Sequence, residues 1–302
     1  MSTFQSDVEP LKRVVLRHAS DAFVSPERIA DQWRSLGFLG APDYDRAARE
    51  SDGFAALLEE LGVRVEWLPG ADTGLDSIYV RDPAVLSDRG VIPCVMGKAA
   101  RAAEPPALAR RLEELLPDLP LLALETPHDP SGAPAGAAPP RVRLEGGDTT
   151  WLDRGTLAVG RGYRTSEAAI DRLRALLAGV EVVRVPLPHW RGPADVFHLM
   201  SMLSPLAEDL LLVHSPLLPV PFRERLLEGG FDLVEVPDGE LESQGCNVLA
   251  VAPRVAVALD GNPETRRRME SAGVEVHVFE GREISLKGCG GPTCLTRPLE
   301  RG

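Results

Sequence analysis

One local pattern recurs five times along the 302 residues: a helical stretch stops at a glycine or proline, and a short β-like run follows. The runs begin Gly62-Val-Arg-Val, Pro117-Asp-Leu-Pro, Gly179-Val-Glu-Val, Gly230-Phe-Asp-Leu and Gly273-Val-Glu-Val. Valine-rich alternation of this kind predicts strands. The segments before them, Pro106–Leu116, Thr165–Ala178, Pro221–Glu228 and Asn262–Ala272, predict helices. Thr165 and Asn262 suit a helix N-cap, Pro221 and Pro263 a first turn, and Gly179 and Gly273 a C-terminal stop. The repeat returns every roughly 43 to 62 residues, a period that suggests a solenoid, a propeller or a closed ring of αβ units. An ordinary α/β sheet carries the same helix–glycine–strand joints, so the pattern alone leaves both open.

After each predicted strand comes a polar cluster and then a second apolar run. The clusters hold Asp76 and Asp82, then Glu145 and Asp148, then His198, then Asn247, then Cys294. Each falls at a similar distance from its strand, apart from the second, which is lengthened by the Pro/Gly/Ala-rich stretch Ser131–Pro140, expected to be a lid-like loop. If the units surround an axis, these residues converge on it as one polar site.

Composition narrows what such a site serves. With 44% hydrophobic and 26% charged residues the chain reads as globular, expected to form a single domain over residues 1–302. A net charge of −12 offers no basic stripe for a phosphate backbone, so nucleic acid is not an expected partner. No signal peptide and no long apolar span are evident, so neither secretion nor a membrane is expected. Four cysteines without a CxxC pair argue for a reducing, cytoplasmic setting, with no metal and no cofactor expected. A homodimer is an open expectation.

Cys294, in Gly290-Gly-Pro-Thr-Cys-Leu, follows glycines that allow close backbone approach to a ligand. Taken alone, such a cysteine is more often a small buried hydrophobe. His198, inside the apolar Val196-Phe-His-Leu-Met, is by itself more often a satisfied core residue. Their shared register makes them a nucleophile and proton carrier. Glu145 and Asp148 flank a Gly-Gly pair, which suggests close ligand approach, though such a turn is also common on surfaces. Arg81 and Asp82 sit within an apolar run, so each needs a partner or a function. Several acids around a Cys–His pair suit a planar guanidinium, which carboxylates grip through paired hydrogen bonds.

At this point the chain resembles the guanidine-modifying superfamily, the penteins, and within it the dimethylarginine dimethylaminohydrolases. The matching pieces run in family order: Leu39-Gly-Ala-Pro-Asp-Tyr, Asp76-Ser-Ile-Tyr-Val-Arg-Asp-Pro, Glu145-Gly-Gly-Asp, Gly160-Arg-Gly-Tyr-Arg-Thr-Ser, Phe197-His-Leu, Glu242-Ser-Gln-Gly-Cys-Asn and Gly290-Gly-Pro-Thr-Cys-Leu. The resemblance implies an α/β fold of the five-bladed αβ-propeller type. It implies that Cys294 attacks a guanidinium carbon and that His198 protonates the departing amine. His198 then activates water to release a ureido product such as citrulline from a covalent adduct. Glu145 and Asp82 would hold the guanidinium nitrogens, Arg101 and Arg164 a substrate carboxylate, and Asp76 its amine. Leu39 would be a lid residue, and Asn247 joins the substrate-binding set.

Met200 departs from arginine deiminases, which carry an acid two residues after the histidine. That favours a substituted nitrogen, with Nω-methylated arginine as the leading substrate. Arg81-Asp82-Pro83, however, reads more like the deiminase motif. An amidinotransferase, an arginine deiminase and a catalytically silent binding propeller are the alternatives.

Overall fold

The computed structural model describes the chain apart from residues 1, 71, 125–141, 194 and 196. The expected lid loop, Ser131–Pro140, therefore lies outside the described residues. Fourteen strands are described: β1 (Leu11–Leu16), β2 (Arg64–Trp67), β3 (Ala84–Ser87), β4 (Gly90–Pro93), β5 (Thr149–Asp153), β6 (Thr156–Arg161), β7 (Glu181–Pro186), β8 (Leu203–Ala207), β9 (Leu210–Val213), β10 (Asp232–Glu235), β11 (Leu249–Ala252), β12 (Val255–Leu259), β13 (Glu275–Phe279) and β14 (Arg297–Arg301). The helices are α1 (Ala19–Phe23), α2 (Pro26–Leu36), α3 (Tyr44–Glu60), α4 (Glu104–Leu115), α5 (Glu167–Leu176), α6 (Val220–Glu228), α7 (Asp238–Leu241) and α8 (Pro263–Ser271).

The strands form five small sheets, and each obeys the same rule. Two strands pair antiparallel, as a hairpin in every sheet but the one formed by β14 and β1, one or more helices follow, and a third element returns parallel to the second strand of the pair. This gives β5-β6-β7, β8-β9-β10, β11-β12-β13 and β14-β1-β2. In the remaining sheet β3 pairs with β4, and the predicted third strand after Pro117 is reduced to one parallel bridge between Val91 and Leu121. Prolines at 117 and 120 remove backbone donors there, which shortens the pairing.

The predicted joints are present. Gly62, Gly179, Gly230 and Gly273 adopt φ of +80°, +91°, +85° and +81°, the left-handed turn between helix and third strand. The capping expectations need correction. Ser166, not Thr165, caps α5, accepting from the Ala169 amide, while the Thr165 hydroxyl donates to Asp148. Asn262 precedes α8 without capping it; its amide donates to the Ser243 and Leu259 carbonyls.

Helices bury their apolar stripes against their own sheets. Leu108 and Leu112 of α4, Ile170 and Leu173 of α5, Phe222 and Leu226 of α6, and Met269 of α8 each belong to a different buried cluster. A fifth cluster joins α3 to Val14, Val257 and Phe279. Each fully buried large side chain contributes about 1.5–3 kcal/mol, so every unit carries its own share of the core. The irregular segments linking one unit's third strand to the next hairpin hold the polar clusters.

Candidate active site

The connecting segments bring four of the five clusters onto the wall of one cleft, with Glu145 and Asp148 behind it. Cys294, His198, Asp82, Asp76, Asn247, Arg101 and Arg164 all line it. His198 enters on a short 3-10 turn, Leu199–Ser201, and its ring is buried. Its Nε2 lies 2.8 Å from Glu145 Oε2, and its Nδ1 lies 3.9 Å from Asp82 Oδ1. Burial disfavours the imidazolium, but the charges of Asp82, Asp148 and Glu145 outweigh burial and raise the His198 pKa to about 9. Burial likewise works against the Glu145 carboxylate, yet the His198 hydrogen bond and charge hold it well below the usual range.

Glu145 is fully buried and stands behind the histidine instead of on the cleft wall. Its Oε1 accepts from the Gly97 amide at 2.9 Å and the Lys98 amide at 3.3 Å. Arg164 Nη1 is 3.4 Å from both carboxylate oxygens. Deeper still, Asp148 accepts from the Thr165 hydroxyl at 2.6 Å and the Leu199 amide at 3.1 Å, tying down the residue beside His198. Burial pushes Asp148 up to about 7.

Asp82 faces the cleft from the segment between β2 and β3. Its Oδ1 accepts from the Gly147 amide at 3.1 Å and its Oδ2 from Arg101 Nη1 at 2.6 Å. Arg81 and Asp82 do not pair with each other: Arg81 turns away to Asp7 at 3.0 Å. Cys294 Sγ accepts from Asn247 Nδ2 at 3.0 Å, and Asn247 Oδ1 accepts from the Thr293 amide. Burial pushes the Cys294 thiol up to about 12; the Asp82 charge adds to this and the Asn247 hydrogen bond opposes it.

Some expectations shift. Arg101 was expected to hold a substrate carboxylate, but its guanidinium is already bonded to Glu104, Asp82 and the Asp76 and Tyr79 carbonyls. It sets the position of Asp82. Arg164 faces the cleft, as does Asp76, whose Oδ2 lies 2.5 Å from Lys98 Nζ. Leu39, 73% exposed, lines an adjoining cavity and not the catalytic cleft. Gly147 and Gly290 lie on the cleft wall and also have protein groups packed closely against them: a Cβ on Gly147 would sit 2.6 Å from both Asp82 Oδ1 and His198 Nδ1. On Gly290 it would meet the Tyr79 ring at 2.4 Å.

Lys98, Glu104 and Cys289 are functional neighbours that the sequence reading missed. Arg101 and Glu104, three residues apart at the start of α4, were a readable ion-pair signal. Asp82, Glu145 and His198 also bring one donor atom each within 4.8 Å, a spacing a metal ion could use. Of the three, only His198 and Glu145 are joined by a hydrogen bond.

A half-buried cysteine beside a buried histidine and its carboxylates, set in an α/β scaffold, is the arrangement of a nucleophile with a proton carrier. The chain belongs to the arginine deiminase family, whose model matches residues 76–223 and 218–301. Arginine deiminase from Mycobacterium bovis is 29% identical over 192 residues, covering 52% of this chain and 46% of that protein. The uncharacterised YkgA of Bacillus subtilis is 30% identical over 159 residues, 53% of each chain. The chain thus spans about half the length of the relatives it matches. Among solved structures, the dimethylarginine dimethylaminohydrolase of Pseudomonas aeruginosa, complexed with citrulline, superposes with a TM-score of 0.74 at 20% identity, covering 96% of this chain and all of that one. SxtG, an amidinotransferase from Microseira wollei, gives 0.77 at 17% identity over 98% and 96%. These structural likenesses establish the α/β fold. Among the described residues, no helix is long and apolar enough to cross a membrane.

Proposed function

We propose that this protein hydrolyses an arginine-like guanidine whose terminal nitrogen carries a substituent, giving a ureido product and an amine. The observation that carries this reading is the convergence on one cleft of Cys294, bonded to Asn247, and His198, bonded to Glu145, with Asp82 between them. The guanidinium lies against Asp82, and Arg164 and Asp76 face the amino-acid end. A thiol pushed to about 12 is protonated in the free enzyme; the arriving cation offsets the Asp82 charge and favours the thiolate, and the thiol proton passes to bulk water because His198 already carries its own. Sulfur attacks the guanidinium carbon, and the C–N bond breaks as His198 gives its proton to the leaving amine. His198, now neutral, deprotonates water, which displaces sulfur and completes the ureido group.

On the same reading residues 1–302 form one domain, a five-bladed αβ propeller. Supporting this are contacts that run between successive sheets, β1 with β11, β11 with β8 and β8 with β5. Hydrogen bonds from Arg81 to the Thr149 carbonyl and from Arg297 to the Ala84 carbonyl support the remaining two joints.

A second reading, deimination of arginine itself, is favoured by the arginine deiminase relatives. Against it stands Met200, an apolar wall where the deiminase pattern places an acid. The deciding experiment measures ureido product and released amine over arginine, monomethyl- and dimethylarginine, agmatine and guanidino acids. Methylamine or dimethylamine release supports the proposal; ammonia from arginine as the main product replaces it with deimination; dependence on an added amine acceptor replaces it with amidino transfer. Cys294→Ser is expected to abolish turnover of every substrate, and surviving turnover removes Cys294 from the mechanism.

A further inference from the structure

The catalytic cleft is branched. A second cavity, about 810 Å³ including its open mouth, shares Gly37, Asp195, Ser201, Asn247 and Cys289 with the cleft and extends to Leu39, Trp190 and Phe197. The two arms differ in chemistry. Asp76, Lys98 and Arg164 line the main cleft and are absent from the branch, where Leu39, Trp190, Phe197, Leu241 and Cys246 form an apolar side facing the mutually paired Arg191 and Glu242 and Gln244. The branch starts at Asn247, whose amide is 3.0 Å from Cys294 Sγ. A guanidine with its amino-acid end at the charged residues and its carbon at Cys294 therefore points its far nitrogen toward the branch.

The branch is built, not incidental. Trp190 holds φ at +49°, a left-handed backbone that a bulky residue seldom adopts without support. Its ring lies 5.8 Å from that of Phe197, and the Arg191 guanidinium sits 5.5 Å above it, itself paired with Glu242. Trp190 and Leu39 remain 37% and 73% exposed, so apolar surface faces the cavity unpaired. Met200, on the cleft wall, continues that apolar surface toward His198.

We propose that this branch is a subsite for an apolar alkyl or aryl group on the guanidine nitrogen that leaves. The substrate class is then a guanidine bearing a substituent larger than methyl, expelled as the corresponding primary amine with the proton from His198. The inference rests on the hydrolase reading above, and the test separates the two. Turnover of Nω-methyl-, Nω-propyl- and Nω-benzyl-arginine is measured for the wild type, Trp190→Ala and Trp190→Phe, and binding of the same compounds to Cys294→Ser is measured by calorimetry with and without Trp190→Ala. Expected is a kcat/KM at least tenfold higher for benzyl than for methyl in the wild type. Trp190→Ala is expected to collapse that ratio and Trp190→Phe to keep most of it. A flat or falling series that Trp190→Ala leaves unaltered overturns the subsite while leaving the hydrolase reading intact. No turnover, but benzyl-selective binding that depends on Trp190, overturns the hydrolase reading and sustains the subsite. Neither turnover nor selective binding overturns both.

Discussion

Cys294 rests as a thiol and His198 as a cation, so each holds a proton at neutral pH and only one of them has to lose it before attack. The pH dependence follows from the histidine. Its folded pKa of about 9 stands above the ordinary 6.5, so the protonated acid is present below about 9 and is lost above it. The rate is expected to fall as pH rises through about 9, and the alkaline limb of kcat/KM measures this. Glu145→Gln removes the charge that bonds Nε2 and is expected to move that limb to lower pH; an unmoved limb disconnects Glu145 from His198 titration. The same group links to stability. Its contribution is fully present below about pH 6.5 and disappears as pH rises through about 9, so melting temperature should decline across that window. The residues of this shell were legible as types and register: Cys294, His198, Asp82 and Asn247 share one cleft. What each touches was not legible. Arg101 reads like any substrate-binding arginine until Glu104 is seen folded back onto it, and nothing local marks Glu145 as lying behind the histidine.

At the scale of elements, two kinds of glycine look alike in sequence and differ in purpose. Gly179 turns the chain between α5 and β7 at φ +91°, with no atom within 4 Å of a built Cβ. Gly179→Ala meets only backbone strain, about 1–2 kcal/mol, so the melting temperature should drop by a few degrees while kcat/KM holds. Gly147 has no such φ; its Cβ would strike Asp82 and His198. Gly147→Ala should displace both groups and lower kcat/KM by about a hundredfold, with the far-ultraviolet circular dichroism unchanged. If activity tracks stability equally in both variants, the steric assignment is wrong. The turning glycines were readable because a helix stop followed by alternating valines is a local signal. What packs against Gly147 was not legible, because Asp82 and His198 come from 65 and 51 residues away. The third strand after Pro117 was overread for a local reason too: alternation is visible in sequence, whereas a proline's missing donor counts only once a partner strand is known.

For the whole molecule, charge placement matters more than its sum. Three buried arginines, Arg81, Arg297 and Arg301, act on one buried carboxylate, Asp7, where the first and last parts of the chain meet β3. Burial pushes Asp7 up, but Arg81 and Arg301 outweigh it and hold its carboxyl below the ordinary range. A depressed carboxylate stabilises the fold above its unfolded pKa, near 3.9, and that stability is lost as pH falls through the folded value. Asp7→Asn leaves the guanidiniums uncompensated and is expected to destabilise by about 3–5 kcal/mol, read by urea unfolding at neutral pH. It should also remove much of the wild type's sensitivity to acid below about pH 4. None of this was visible in sequence, where Asp7 lies 74 residues from Arg81.

The sheet β14-β1-β2 joins the earliest strand to the latest, and Cys294 stands three residues before β14. During translation, β1 and β2 emerge long before the strand that completes their sheet, and domains form from the N-terminal side as the chain appears. Pairing across so many residues is slow to form. The nucleophile therefore reaches its histidine only as the last strand docks. On the proposed mechanism, an interrupted nascent chain would carry the acids and His198 without the attacking sulfur.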